Sequence, residues 1–105
     1  MNKYNLIYIT TKNLKEAETI GEYIVSNRFA SCVNIIDNMK SIYHWQGKIE
    51  KSKEVIIIAK TKVKLTNKLI VEVKNIHSYK IPCIIAIPII SGDSDFLNWI
   101  EKECI

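Results

Sequence analysis

The fold is decided by residues 41–61, whose sequence is SIYHWQGKIEKSKEVIIIAKT. Within it, Gln46 and Gly47 form a turn signal between two runs of residues that favour β-strands. The first run begins near residue 30 and is interrupted at Asp37 and Asn38, a polar pair that predicts a bulge in a continuing strand. We therefore expect residues 30–61 to form one long, bent β-hairpin.

A strand and a helix are predicted upstream of this hairpin. Residues 4–10, YNLIYIT, are rich in β-branched and aromatic side chains, which favour strands. Asn13 can cap the following helix, and Glu16 can return the second hydrogen bond of a capping box. The helix is expected to end near Asn27. Its apolar stripe is predicted to consist of Leu14, Ala17, Gly21, Ile24 and the aliphatic stem of Arg28.

A helix, a strand and a final helix are predicted downstream of the hairpin. The first helix covers about 63–76, and a loop follows it, because Pro82 disfavours helix in the residue before it. The strand covers 83–90, and its Pro88 predicts either a position at the edge of the sheet or a bulge. The last helix covers 95–104. The apolar stripe of the 63–76 helix is expected to be Leu65, Leu69, Val73 and Ile76.

The resulting order of elements is β-α-β-β-α-β-α. The first six match the split βαβ, ferredoxin-like arrangement, an α+β fold in which an antiparallel sheet carries two helices on one face. A chain of 105 residues suits one domain, so residues 1–105 are expected to fold as a single unit.

The second face of the predicted sheet is unusually apolar. A sheet covered by helices on one side normally alternates to polar residues on the other. Here residues 55–59 and 84–87 are apolar at every position, and two helices can cover only one side. A large uncovered apolar patch is uncommon in monomers. We therefore expect a homo-oligomer in which the subunits bury their sheets against one another.

Composition and cysteine usage exclude several classes of protein. The net charge of +4 comes from lysines spread along the chain, without the dense basic block of a nucleic-acid tail. No apolar run approaches the length needed to span a bilayer, and the N-terminus does not resemble a signal peptide. Three cysteines, Cys32, Cys83 and Cys104, suit free thiols in a reducing compartment. The expected location is the cytoplasm, or an organelle if a leader has been removed.

Several motifs together resemble the CutA family, the divalent-cation tolerance proteins, over nearly the whole chain. This resemblance implies a ferredoxin-like subunit, a homotrimer, a response to copper or another divalent metal ion, and no firmly attached enzymatic activity. It also implies that Phe96 and Trp99 pack on the last helix. Tyr43 and Trp45, at the hairpin tip, are expected to anchor the trimer interface, and the alternative is that they form a platform for a ligand. The motifs are FASCVNII (29–36), SIYHWQGKIE (41–50), IIAKT (57–61), IHSYKIPCIIAIPI (76–89) and GDSDFLNWI (92–100).

The resemblance directs attention to His77 as a copper ligand. Two further ligands proposed for bacterial members correspond by position to Ile9 and Ile76, which have no ligating atoms. Imidazole and thiolate suit copper and zinc, so Cys32 and Cys83 are the remaining candidates to join His77. The alternative is that both cysteines are packing residues and that His77 only forms hydrogen bonds.

Two other classes of function compete with metal tolerance. For an enzyme, Asp37, Glu50, Lys60, His77 and Tyr79 are candidate groups, but no nucleophile and base spacing or glycine-rich phosphate loop is present. An RNA-recognition domain would need aromatic residues on its central strands, and EVIIIAKT has none.

The main alternative is a signalling trimer that senses a small molecule in a cleft between subunits. Glu50, Lys60, His77 and Tyr79 are the residues expected to line that cleft. Our interpretation from the sequence is a non-enzymatic, trimeric CutA-like protein of metal tolerance, with self-association, a divalent cation or a small molecule as partners and no nucleic acid or membrane.

Overall fold

The computed structural model describes residues 2–105 and has the predicted α+β, ferredoxin-like order. The described residues form a four-stranded sheet in the order β2-β3-β1-β4, with every neighbouring pair antiparallel. A single turn of 3-10 helix, Val63–Leu65, leads into the second helix. The elements are β1 Tyr4–Thr11, α1 Leu14–Ser26, β2 Cys32–Trp45, β3 Lys48–Lys62, α2 Thr66–Ile76, β4 Ile84–Pro88 and α3 Ser94–Glu103.

The long hairpin is confirmed, including its turn and its bulge. Trp45 pairs with Lys48 across a two-residue turn in which Gln46 has φ 51° and Gly47 has φ 78°. Two successive residues with positive φ are the signature of a type I′ turn, whose twist matches that of the flanking strands. The register shifts between Ile36 and Met39, at the predicted bulge, so the hairpin bends away from the rest of the sheet.

The start of α1 fulfils half of the predicted capping box. The Asn13 side chain accepts a hydrogen bond from the Glu16 backbone N–H at 2.8 Å, as an N-cap should. The Glu16 carboxylate, however, accepts from the backbone N–H of Lys12 at 3.0 Å. The expected return bond to Asn13 was therefore wrong by one residue, because the carboxylate also turns toward a distant loop, described below.

The apolar stripe of α1 differs from the prediction at both ends. Leu14 is exposed, and Ile20 is buried in its place. Arg28 lies beyond the helix with φ 59°, and its guanidinium donates to the backbone carbonyl of Glu103 at 3.0 Å. The Arg28 stem therefore does not extend the stripe, because the chain leaves the helix at Asn27 and turns the side chain toward α3.

The core lies between the sheet and the pair α1 and α2. Alternation along each strand sends every second residue to the helices, and the helices return residues at helical spacing. At the described edge of the sheet, β4 pairs only with β1, which confirms the edge position predicted from Pro88. The buried cluster is Ile7, Ile9, Ala17, Ile20, Ile24, Phe29, Ala30, Val55, Ile57, Ala59, Leu69 and Val73.

The opposite side of the sheet, which we call the open face, is uncovered in the subunit. Ile36, Ile85 and Ile87 are 48%, 51% and 44% exposed there. They share this face with their directly paired residues on the neighbouring strands. The partly buried residues of the open face are Leu6, Tyr8, Ile56 and Ile58. No helix in residues 2–105 has the length and apolar character that crossing a membrane requires.

Candidate functional site

The 77–83 loop, between α2 and β4, is held against β1 by His77. The Nε2 atom of His77 lies 2.8 Å from the backbone oxygen of Thr10, and its Nδ1 atom lies 3.0 Å from the backbone nitrogen of Tyr79. Since a carbonyl oxygen only accepts, Nε2–H donates to Thr10, and Nδ1 accepts from the Tyr79 N–H. Both ring nitrogens are thereby used within the chain, and the imidazole fixes the loop.

Glu16 fixes the same loop from the other side. Its carboxylate accepts from the backbone N–H of Ser78 at 2.9 Å, as well as from that of Lys12. Burial acts to raise the pKa of Glu16, but the hydrogen bonds from Lys12 and Ser78 outweigh it and hold the pKa below its usual value. The capping pattern drew attention to Glu16 but gave no signal that the side chain spans from α1 to this loop.

Tyr79 links the loop to a nearly buried carboxylate on β3, that of Glu54. Its hydroxyl donates to Glu54 Oε2 at 2.7 Å, and Glu54 is 7% exposed. Burial first, and the hydrogen bond to Glu54 second, raise the pKa of Tyr79 well above its usual range, so the phenol remains a donor. The sequence analysis did not select Glu54. The one available signal was its position, as a charged residue directly before the apolar run 55–59.

Two more phenol groups lie on the same face of the sheet as this carboxylate. The Tyr8 hydroxyl donates to the sulfur of Met39, the residue paired with Glu54, at 3.4 Å. The Tyr43 hydroxyl lies 3.4 Å from Oγ of Ser52, two residues before Glu54 and on the same face. Tyr8, Tyr43 and Tyr79 therefore line the same cleft as Glu54, and Tyr79 contacts its carboxylate directly.

These groups line a cleft of about 940 Å³ between the inner side of the hairpin and the 77–83 loop. The cleft opens on the open face of the sheet, because Tyr8 and Glu54 alternate with the helix-facing residues of β1 and β3. Its lining includes Tyr8, Thr10, Tyr43, Trp45, Glu54 and Tyr79.

Within one subunit, the structure brings together two of the four residues expected to line a ligand cleft. His77 and Tyr79 lie side by side, with ring centroids 4.9 Å apart, and of the two it is Tyr79 that lines the cleft. Glu50 pairs with Tyr43 farther along the hairpin and does not line the cleft. Lys60 lies six residues from Glu54, about 20 Å along β3, and its ammonium donates to Oδ1 of Asn34.

Comparison with known proteins identifies the family. Residues 5–103 match the family described as CutA1 divalent ion tolerance protein. The chain belongs to the CutA1 family. It is 44% identical over 99 residues to the divalent-cation tolerance protein CutA of Archaeoglobus fulgidus, covering 94% of this chain and 96% of that protein. It is 36% identical to the Thermus thermophilus protein of the same name over 98 residues, which cover 93% of this chain and 95% of that protein.

Solved CutA1 structures share the fold throughout. The Thermus thermophilus structure superimposes with a TM-score of 0.94 at 35% identity, covering 96% of this chain and 98% of that one. The Archaeoglobus fulgidus structure, described as a periplasmic divalent cation tolerance protein, gives 0.93 at 44% identity, with coverage of 95% and 97%. These comparisons confirm the ferredoxin-like subunit that the sequence predicted.

The family name refers to divalent ions, so we tested whether the predicted ligands His77, Cys32 and Cys83 form a metal site. Within one subunit they do not come together. Cys32 lies on β2 and Cys83 lies just before β4, and these strands form opposite edges of the sheet, about 14 Å apart. His77 already uses both ring nitrogens. Residues 2–105 contain no group of three or more His, Cys, Asp or Glu side chains suited to holding a metal.

The other residues implied by the CutA resemblance lie at the surface of the subunit. Tyr43 and Trp45 are 42% and 39% exposed on the projecting hairpin. Phe96 and Trp99 stack on each other, with ring centroids 5.6 Å apart, but both stay partly exposed on α3. Cys104, the third free thiol, is buried and packs beside Thr61.

Proposed function

We propose that this CutA1 protein acts in divalent-cation tolerance as a homotrimer and that it is not an enzyme. Membership of a family named for divalent ion tolerance supports the role in tolerance. The open face of the sheet is the single observation that carries the proposal of assembly. The number of three subunits comes from the CutA resemblance. An exposed apolar face favours self-association but does not determine how many copies assemble.

The open face contributes a driving force for assembly. Fully burying an isoleucine side chain contributes about 1.5–3 kcal/mol, so each half-exposed isoleucine retains roughly 1 kcal/mol for burial by a neighbour. Ile36, Ile85 and Ile87 are all close to half-exposed. Tyr43 and Trp45 on the projecting hairpin add aromatic anchors of the kind that interfaces favour.

Cells provide the test of the tolerance role. Deletion of the gene should lower growth in raised concentrations of copper or another divalent cation, and the wild-type gene should restore it. A variant with a charge on the open face, Ile85→Asp, should restore growth poorly if assembly is needed. Equal growth of deleted and wild-type cells across copper, zinc, cobalt and cadmium would contradict the proposed role.

For copper itself, we propose weak binding at best. A metal site normally needs about four ligands, and His77, Cys32 and Cys83 do not supply a joint site within one subunit. Calorimetric titration with Cu²⁺, beside metal analysis of the purified protein, tests this. Stoichiometric uptake below micromolar concentration that is lost in His77→Ala but retained in His44→Ala would refute the proposal. The chain contains two histidines, so His44→Ala is the matched control.

A second candidate function is small-molecule sensing in a signalling trimer. The cleft beneath the hairpin favours it, because the cleft ends on a loop whose position depends on a few hydrogen bonds. The residues expected at an inter-subunit cleft, Glu50, Lys60, His77 and Tyr79, remain candidates where two subunits meet. Chemical-shift changes in the 77–83 loop on adding a ligand would support sensing, and an unresponsive loop would oppose it.

We propose the cytoplasm as the location. Fractionation of cells that express the chain tests this proposal directly. Recovery of the protein with the periplasmic fraction, the location given for the Archaeoglobus fulgidus structure, would overturn it. Recovery in a plastid, as the name of the Arabidopsis thaliana relative states for that protein, would overturn it as well.

A further inference from the structure

Glu54 is a nearly buried carboxylate without a cationic partner in the described chain. The three ion pairs within residues 2–105 engage the carboxylates of Glu72, Glu101 and Glu103. Glu54 receives one hydrogen bond, from the Tyr79 hydroxyl, although an ionised carboxylate can accept about four. Burying a carboxylate is costly unless a cation or several donors compensate for the lost water. The site therefore has unused capacity for a positively charged donor.

The surroundings of Glu54 suit a cation attached to an organic group. The Tyr8 hydroxyl donates to a thioether, which is a weak acceptor, and the Tyr43 hydroxyl has one long contact, 3.4 Å to Ser52 Oγ, in which either oxygen can be the donor. Their hydroxyls can therefore turn to a ligand at little cost. Aromatic rings beside an anionic group are also a favourable environment for ammonium and guanidinium ions.

Charge at the cleft favours a cation over an anion. Lys40 and Lys80 also line the cleft, but neither forms an ion pair with Glu54. Lys40 pairs with Lys53 and alternates with Met39 along β2, so its side chain leaves on the side of the hairpin opposite Glu54. Lys80 is exposed on the 77–83 loop. An anion at the base of the cleft would face the Glu54 carboxylate directly.

We propose that the cleft binds a small organic cation, a protonated amine or a guanidinium compound, whose N–H groups donate to the free acceptor positions of Glu54. This inference rests on the sensing function proposed above and specifies the chemical class of its ligand. Tyr79 donates to Glu54, and the backbone N–H of Tyr79 donates to His77. A ligand bound to Glu54 therefore changes the hydrogen bonds that position the 77–83 loop.

The test uses three probes with the same four-carbon chain and different charge: butylammonium, butan-1-ol and butyrate. Backbone amide shifts of the isotope-labelled protein are followed by NMR at neutral pH. We expect saturable shifts around Glu54 and Tyr79 with butylammonium, at least tenfold weaker binding of butan-1-ol, and no binding of butyrate, because a hydrogen bond to a charged group is worth about tenfold or more.

Variants separate the carboxylate from the general shape of the cleft. Glu54→Gln should weaken butylammonium binding at least tenfold, whereas Glu18→Gln, which changes an exposed carboxylate on α1 outside the cleft lining, should leave it unchanged. If light scattering shows that Glu54→Gln alters the assembly, Glu54→Asp takes its place, since it keeps the charge but withdraws it from the cleft.

The outcomes distinguish this inference from the sensing function on which it rests. Equal binding of all three probes, preferential binding of butyrate, or unchanged butylammonium binding in Glu54→Gln would overturn the cation site while leaving a ligand cleft. Absence of binding by every probe to the intact assembly would overturn both. If a lysine of a second copy fills the cleft, Glu54→Gln will dissociate the assembly and no amine will bind, which also refutes a small-molecule site.

Discussion

The open face makes a quantitative prediction for Ile85→Ala. Ile85 pairs with Tyr8 near the middle of this face and is 51% exposed in the subunit. The substitution removes three carbon atoms, worth about 0.8 kcal/mol each when fully buried. Because about half of the side chain is buried only on assembly, the free energy of association should fall by about 1.2 kcal/mol per subunit, or about 3.6 kcal/mol for a trimer. The equilibrium constant for dissociation should therefore rise by a factor of a few hundred.

Sedimentation equilibrium over a dilution series measures this change. Ile90→Ala is the matched control, because Ile90 is 85% exposed and lies beyond the end of β4. We expect the Ile85→Ala protein to dissociate at concentrations where the wild-type and Ile90→Ala proteins remain assembled, with unchanged circular dichroism. If both isoleucine variants dissociate equally, or if neither differs from wild type, the open face does not drive assembly.

Three further predictions test the hairpin anchor, the loop and the turn. Trp45→Ala should weaken assembly and Trp99→Ala should not, although both side chains are about two-fifths exposed, and equal sedimentation profiles would contradict the anchor. Glu16→Gln should lower the free energy of unfolding by about 1 kcal/mol at neutral pH, a value already discounted for solvent exposure. Because folding lowers the pKa of Glu16, this loss should shrink below about pH 4. A loss that does not depend on pH in urea denaturation would refute the prediction. Gly47→Ala should cost about 1 kcal/mol, since Gly47 has φ 78°, whereas Gly92→Ala should cost less, and equal midpoints in urea would contradict the turn assignment.

Most of the fold was predictable because its signals are local. The polar interruption near Asn38, the turn at Gly47 and the cap at Asn13 each act through neighbouring backbone, and the structure confirms all three. Element ends were less accurate. The second helix begins at Thr66 after a 3-10 turn, and Arg28 turns away from the core, because contacts from distant parts of the chain decide where a helix starts and ends.

The site was only partly predictable, because its residues are distant in the sequence and meet only in the folded chain. The motif around His77 and Tyr79 is visible in the sequence, but its partner Glu54 is 25 residues from Tyr79 and becomes a neighbour only through the sheet. Lys60 lies on the same strand as Glu54, yet the length of β3 separates the two by about 20 Å. Long strands place residues of similar sequence position far apart, so the sequence alone did not show that Lys60 and Glu54 lie at different places within one subunit.

The central claim is that each folded subunit leaves an apolar sheet face that only other copies cover. The most direct measurement is the mass of the wild-type protein by sedimentation velocity at submicromolar concentration. The subunit has a mass of 12.1 kDa, and we predict a single species of about three times that value. A stable, well-behaved species of 12.1 kDa at that dilution would contradict the account.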